Sequence, residues 1–131
     1  MASIFSKIIS GEIKGHIIME DANFCAFLDI MPLAPGHTLV VPKKEIDYLF
    51  DLDNELLSAA LPFAKKVAAA IKKTIPCQRI GVSVIGLEVP HAHIHLIPLR
   101  TMADINFSNP KLKMTDQELG EIAEKIKSNL E

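Results

Sequence analysis

His91-Ala92-His93-Ile94-His95-Leu96-Ile97 packs three of the chain's five histidines into seven residues. Along a β-strand side chains alternate between faces, and same-face neighbours lie about 6.5–7 Å apart. Read as a strand, the run turns His91, His93 and His95 to one face and Ala92, Ile94 and Leu96 to a core on the other. A phosphate group is small enough to touch two such imidazoles at once. Three readings are open on spacing alone. The face could be a polar sheet surface that happens to use histidine. It could hold zinc, since imidazoles two apart on a strand can share an ion. Or it could carry nucleophilic or acid–base chemistry, because neutral imidazole near pH 7 is both a nucleophile and a proton carrier. The run contains no cysteine pair or carboxylate, which a metal site would want as further ligands.

Outward from this run the chain alternates strand-like and helical patterns. Arg79 to Ile85 and His91 to Leu99 read as strands joined by a short connection around Gly86. His37-Thr38-Leu39-Val40-Val41 is a further strand, entered through Pro35-Gly36 and stopped by Pro42, and it makes His37 a candidate fourth imidazole. Taken alone, His37 would read as an ordinary strand-end histidine, and His16 as a surface residue. His16 to Glu20 and Phe24 to Asp29 are strand-like around the turn residues Asp21-Ala22-Asn23. Apolar residues at 4, 5, 8 and 9 predict a short helix ending at Gly11. From about Asp53 to Thr74, Leu57, Leu61, Ala64, Val67 or Ala68, and Ile71 recur at helical steps, with a kink or break expected at Pro62. Thr115 and Glu118 form a capping-box pair opening a last helix, about 115–130, lined by Leu119, Ile122, Ala123, Ile126 and Leu130. The expectation is one α+β domain over residues 1–131, with five strands in a mostly antiparallel sheet, one long helix and one C-terminal helix.

Bulk properties narrow the class without choosing a function. At 131 residues the chain is long enough to close a core without disulfides or a structural metal. A net charge of −2 argues against a general nucleic-acid binder. No apolar run approaches the roughly 20 residues needed to span a bilayer, and the N-terminus has no secretory signal pattern. Cys25 and Cys77 read as free thiols in a reducing compartment, so a cytoplasmic location is expected.

The run 91–97 fits the signature of the histidine triad (HIT) family, His-φ-His-φ-His-φ-φ with φ apolar, at every position. Ile4-Phe5-Ser6-Lys7-Ile8-Ile9 with Gly11-Glu12-Ile13 resembles that family's opening segment. Phe27-Leu28-Asp29-Ile30 and Pro35-Gly36-His37-Thr38-Leu39-Val40-Val41-Pro42-Lys43-Lys44 resemble its central block. The resemblance runs from residue 3 to about 100 and is nearest to the compact Hint-like branch. It implies a homodimer in which two five-stranded sheets join into one. It also implies an AMP-like purine nucleotide as ligand, with cleavage at the α-phosphate of nucleoside 5′-phosphoramidates or related conjugates. Carried over by position, His93 would be the nucleophile that becomes nucleotidylated. His95 and His37 would donate to phosphate oxygens, and His91 would orient His93 through its carbonyl. Ile4, Phe5, Ile8, Phe27 and Leu28 would wall the base, with Asp29 accepting from the ribose hydroxyls and Ile30 beside it. Ser83, Gly86 and Leu87 would border the phosphate.

Two departures from the family pattern bear on chemistry. Where many relatives complete a zinc site, this chain has Ser3, Ser6 and Glu45 with His91, so no structural metal and no cofactor are expected. Leu87 replaces a glutamine next to the phosphate and leaving group, and leucine cannot donate a hydrogen bond. An enzyme that hydrolyses or transfers nucleotides is therefore set against two rivals: a nucleotide-binding or interaction module with weak turnover, and a metal-dependent hydrolase using the same histidines.

Overall fold

In the computed structural model, which describes residues 2–131, the Ser3 hydroxyl oxygen accepts the Ser6 amide and so caps helix α1 (Ile4–Ser10). Gly11 ends that helix at φ 84°, a left-handed conformation that costs glycine nothing. Asp21 accepts the amides of Asn23 and Phe24 at 2.8 Å each, and this turn joins β1 (Ile17–Glu20) to β2 (Phe24–Leu28). Strand β3 (Thr38–Pro42) follows a proline-rich loop, and Asp53 caps the long helix α2 (Asn54–Thr74) by accepting the Leu56 amide. Strands β4 (Arg79–Ser83) and β5 (Ile94–Leu99) complete the sheet. Helix α3 (Asp116–Ser128) closes the chain behind the capping box of Thr115 and Glu118.

The strands lie in the order β1-β2-β3-β5-β4, and every neighbouring pair is antiparallel. This is the five-stranded α+β architecture expected from the sequence. The period of two divides the sheet into faces. Phe24, Ala26 and Leu28 of β2, Val40 of β3, and Ile94 and Leu96 of β5 meet α2 and α3 in the main core. Cys25 and Phe27 of β2 and Leu39 and Val41 of β3 face the other way, where Phe5 of α1 packs on them. The second face carries the candidate site.

Three sequence expectations change. Helix α2 runs unbroken through Pro62. Proline removes the amide that would serve the Ser58 carbonyl, but both residues lie on the exposed side, where water can replace it. The buried stripe of α2 is Ala60, Phe63, Ala64, Val67, Ala70 and Ile71, whereas Leu61 stays 61% exposed. Finally, β5 begins at Ile94, and residues 91–93 are irregular, so the three triad histidines do not share a strand face. No helix among the described residues is long and apolar enough to cross a membrane.

Candidate active site

The tautomers of the buried histidines follow from backbone contacts. Gly36, at φ 90°, turns the chain into β3 and delivers His37 beneath the sheet edge of the loop, where its ring is buried. The Leu33 amide donates to His37 Nδ1 at 3.0 Å, so the proton of a neutral His37 sits on Nε2. That Nε2–H donates to His95 Nδ1 at 2.9 Å, which in turn places the His95 proton on its outer nitrogen, Nε2. Burial pushes His37 down to about 3, helped by the neighbouring His95, Lys111 and His93. Burial, then His93 and Lys111, take His95 down to about 4. Both rings are therefore neutral donors at pH 7. His37 spends both nitrogens inside the protein, so it acts on any ligand through His95.

His93 is set by a different contact. Its Nδ1 lies 2.8 Å from the His91 carbonyl, which can only accept, so Nδ1 carries a proton and, in the neutral tautomer, Nε2 has the free lone pair. Phe5 stacks edge-on against the His93 ring at 4.9 Å between centroids, and the His95 ring lies 5.0 Å away on the other side.

His91 points away from the other two. Its Nε2 donates to the Pro42 carbonyl at 2.7 Å, and its Nδ1 accepts the Ser3 hydroxyl at 2.7 Å. Ser6 donates to Glu45 at 2.6 Å, and the Ser3 amide donates to the same carboxylate oxygen at 2.7 Å. Those amide and hydroxyl donors hold Glu45 below the usual carboxylate range. The four positions flagged for a family zinc site thus meet in space, but as a closed hydrogen-bonded cluster. One imidazole with both nitrogens engaged, one carboxylate and two hydroxyls are not a zinc donor set. A second trio, Asp29, His37 and His95, offers ligand atoms within 4.8 Å of one another. Here the two nitrogens stand at 2.9 Å with a proton between them, closer than the roughly 3.3 Å edge of a tetrahedral zinc site.

The wall residues separate by exposure and face. Phe5 and Phe27 are buried with ring centroids 5.5 Å apart, and Ile8 packs on the same cluster. Ile4 is 46% exposed and Ile30 60% exposed, so neither is part of the buried cluster of Phe5 and Phe27. Leu28 does not belong to the wall: it alternates away from Phe27 into the main core under α2. Asp29 is half-buried, donates nothing, and accepts the Met31 amide with one oxygen while the other lies 3.6 Å from His37 Nε2. Burial raises its carboxyl above the usual range, against the Met31 amide, His93 and Lys111, which pull it down. Ser83 is paired in register with His95 at the end of β4. Gly86 takes φ 75°, and Leu87 is 88% exposed, presenting no donor to the histidines. Two residues that sequence reasoning missed also border the site. Phe107 packs edge-on against His95 at 4.8 Å, and Lys111 lies over the Phe107 ring. A lone aromatic in the polar stretch Asn106-Phe107-Ser108-Asn109 was the available signal.

The chain is similar to known proteins in sequence and in fold. The family model described as the HIT domain matches residues 10–102. Adenosine 5′-monophosphoramidase HNT1 of Saccharomyces cerevisiae is 42% identical over 76% of this chain, and the match spans 63% of the yeast protein's length. Among solved structures, a Hit-like protein involved in cell-cycle regulation from Bartonella henselae superposes with a TM-score of 0.85 at 37% identity, covering 98% of this chain and 96% of its own. A zinc-bound histidine triad family protein from Mycobacterium smegmatis gives 0.83 at 25% identity, over 98% of this chain and 93% of its own. With its signature run, its sheet order and these matches, the chain belongs to the HIT family.

Proposed function

We propose that this protein cleaves the bond between the α-phosphorus and its substituent in purine nucleoside 5′-phosphoramidates or related nucleotide conjugates, through a nucleotidyl-His93 intermediate. The observation that carries the reading is the 2.8 Å contact from His93 Nδ1 to the His91 carbonyl, which in the neutral ring leaves Nε2 as the nitrogen with the free lone pair. Attack by Nε2 forms a P–N bond to the enzyme and breaks the bond to the leaving group, which departs with a proton from solvent. Water then attacks the same phosphorus, releasing the nucleoside monophosphate and returning the imidazole. The His95 Nε2–H, its direction dictated by His37, donates to a phosphate oxygen as negative charge builds. Phe5, Phe27 and Ile8 take the base, and the raised but solvent-reached Asp29 accepts the ribose hydroxyls. The yeast relative's phosphoramidase activity supports this substrate class.

A homodimer is part of the proposal. Strand β4 is an open edge of the sheet, and Val82, Val84 and Ile85 beside it are each more than two-fifths exposed. Pairing that edge with a second copy would extend the sheet and cover those side chains. The exposed Leu87 favours a second reading, a nucleotide-binding module that turns over slowly for want of a donor at the leaving group.

AMP release from adenosine 5′-phosphoramidate, measured for wild type and His93→Ala with and without EDTA, separates the readings. The enzyme reading expects chelator-resistant release that falls by about 10³-fold or more in the variant, as for an essential nucleophile. Wild type that binds AMP but releases none supports the binding module. Activity abolished by chelator overturns the covalent mechanism in favour of a metal-dependent one.

A further inference from the structure

The site described above lacks a charge that its ligand demands. A nucleoside phosphoramidate brings an anionic phosphorus centre, and the neutral His37 and His95 offer hydrogen-bond donors without net charge. Lys111 lies outside the signature run and the central block, in the irregular segment before α3. Its Nζ donates to the Phe107 carbonyl at 2.8 Å and sits 5.4 Å from the centre of the Phe107 ring. That ring packs edge-on against His95 at 4.8 Å and reaches His37 at 6.3 Å. The ammonium is thus one aromatic ring away from the paired histidines. The segment is tied down where it matters, because the Leu112 amide donates to the Pro32 carbonyl in the loop that leads to His37.

Lys111 is half-buried, and among the described residues it enters no ion pair within 4.0 Å. An ammonium with one carbonyl partner has two further N–H donors free to meet an anion. Lys111 acts on the neutral His37 and His95 and on the Asp29 carboxyl, pulling each down, so its field reaches across the site. A lysine side chain is also a flexible four-carbon stem that can swing its ammonium toward a bound ligand.

We propose that Lys111, seated on a Phe107 platform against His95, is the positive charge that holds the α-phosphate and selects phosphorylated nucleosides over uncharged ones. The inference rests on the nucleotide reading given above and deepens it by naming a residue that determines specificity. Phe107 is a positioning residue that keeps the ammonium and the His95 ring in step.

The test compares affinities for AMP and adenosine, by calorimetry at low and high salt, in wild type, Lys111→Met and Lys111→Arg. Lys111→Met is expected to weaken AMP about tenfold, the order of one ammonium–phosphate attraction across several ångströms of half-buried protein. Adenosine affinity is expected to stay unchanged, and the salt dependence of AMP binding to shrink. Lys111→Arg is expected to keep most of the AMP affinity. With adenosine phosphoramidate as substrate, Lys111→Met is expected to raise KM by a similar factor and leave kcat nearly unchanged. Equal weakening of AMP and adenosine, or no weakening of either, overturns the assignment while leaving the nucleotide reading in place. Wild type that binds neither AMP nor its phosphoramidate overturns the nucleotide reading itself, and the Lys111 assignment falls with it.

Discussion

Substituting Ser3 by alanine removes one hydroxyl that serves two ends of the molecule. Its oxygen accepts the Ser6 amide at the start of α1, and its proton goes to His91 Nδ1 in a buried contact at 2.7 Å. Loss of a helix cap costs about 1 kcal/mol. Leaving a buried imidazole nitrogen without its donor costs about 1–3 kcal/mol more. One atom supplies both contacts, so their simple sum, about 2–4 kcal/mol, bounds the expected loss from above. One route of escape is visible. The Ser6 oxygen lies 3.5 Å from the same His91 nitrogen and now donates to Glu45, so in Ser3→Ala it can turn toward His91. The single variant should therefore fall near the low end of the range, and Ser3→Ala/Ser6→Ala near the high end, with Ser6→Ala alone under about 1 kcal/mol. The chain has no tryptophan and one tyrosine, so urea unfolding is best followed by far-ultraviolet circular dichroism. The effect should also reach chemistry, since a loosened His91 carries the carbonyl that orients His93. A Ser3→Ala loss below about 0.5 kcal/mol, with the double variant no worse than the sum of the singles, would refute the reasoning, because His91 Nδ1 would then need no donor.

Acid should weaken the fold through the buried histidines. With His37 held near 3 in the native state and near 6.5 when unfolded, the unfolded chain binds more protons between those values. The contribution is complete above about pH 6.5 and is lost as pH falls toward 3, amounting to about 2 kcal/mol for His37 by pH 5. Urea midpoints measured at pH 7.5 and pH 5 check this, and a His37→Gln variant should show a shallower decline. Cys25 is fully buried, with its thiol pushed up to about 12 by burial and then by Glu20. Thiol reagents should therefore label only Cys77 in native protein and reach Cys25 after unfolding; rapid native labelling at Cys25 would contradict the burial.

Local chemistry was readable wherever one residue decides its neighbours' backbone. Thr115 with Glu118, Asp21 before its turn and Gly11 after α1 each act within four residues, and the elements begin or end where those residues predict. Phase was harder. Leu57 and Leu61 attract notice by size, yet Ala60, Phe63 and Ala64 around them are the residues buried in the core, since a close-packed helix–sheet contact takes small residues readily. The histidine run was read as a continuous strand, but residues 91–93 leave the ladder so that the His91 carbonyl can turn toward its neighbour's ring. Alternation itself puts Leu28 on the face opposite Phe27; grouping both in one base wall, as the family resemblance implies, overlooks that period. Phe107 and Lys111 reach His95 through a segment with no period at all, and only the tertiary path of that segment reveals them.

The amide of Leu33 has a consequence out of proportion to one hydrogen bond. A row of neutral imidazoles can in principle carry its protons in either sense, and nothing within the rings prefers one. By occupying His37 Nδ1, a main-chain group at a loop gives the His37–His95 pair an arrow, and the proton of each ring is ordered by it. Any side-chain replacement at position 33 that keeps the amide N–H, which excludes only proline, leaves that arrow intact, because the group that draws it belongs to the backbone. What would erase it is a change in the path of residues 30–36, after which the two senses would compete and a share of molecules would present a bare nitrogen to an incoming phosphate oxygen. The loop's shape is in this way a record of chemical polarity, kept in the part of the polymer that point substitution touches least.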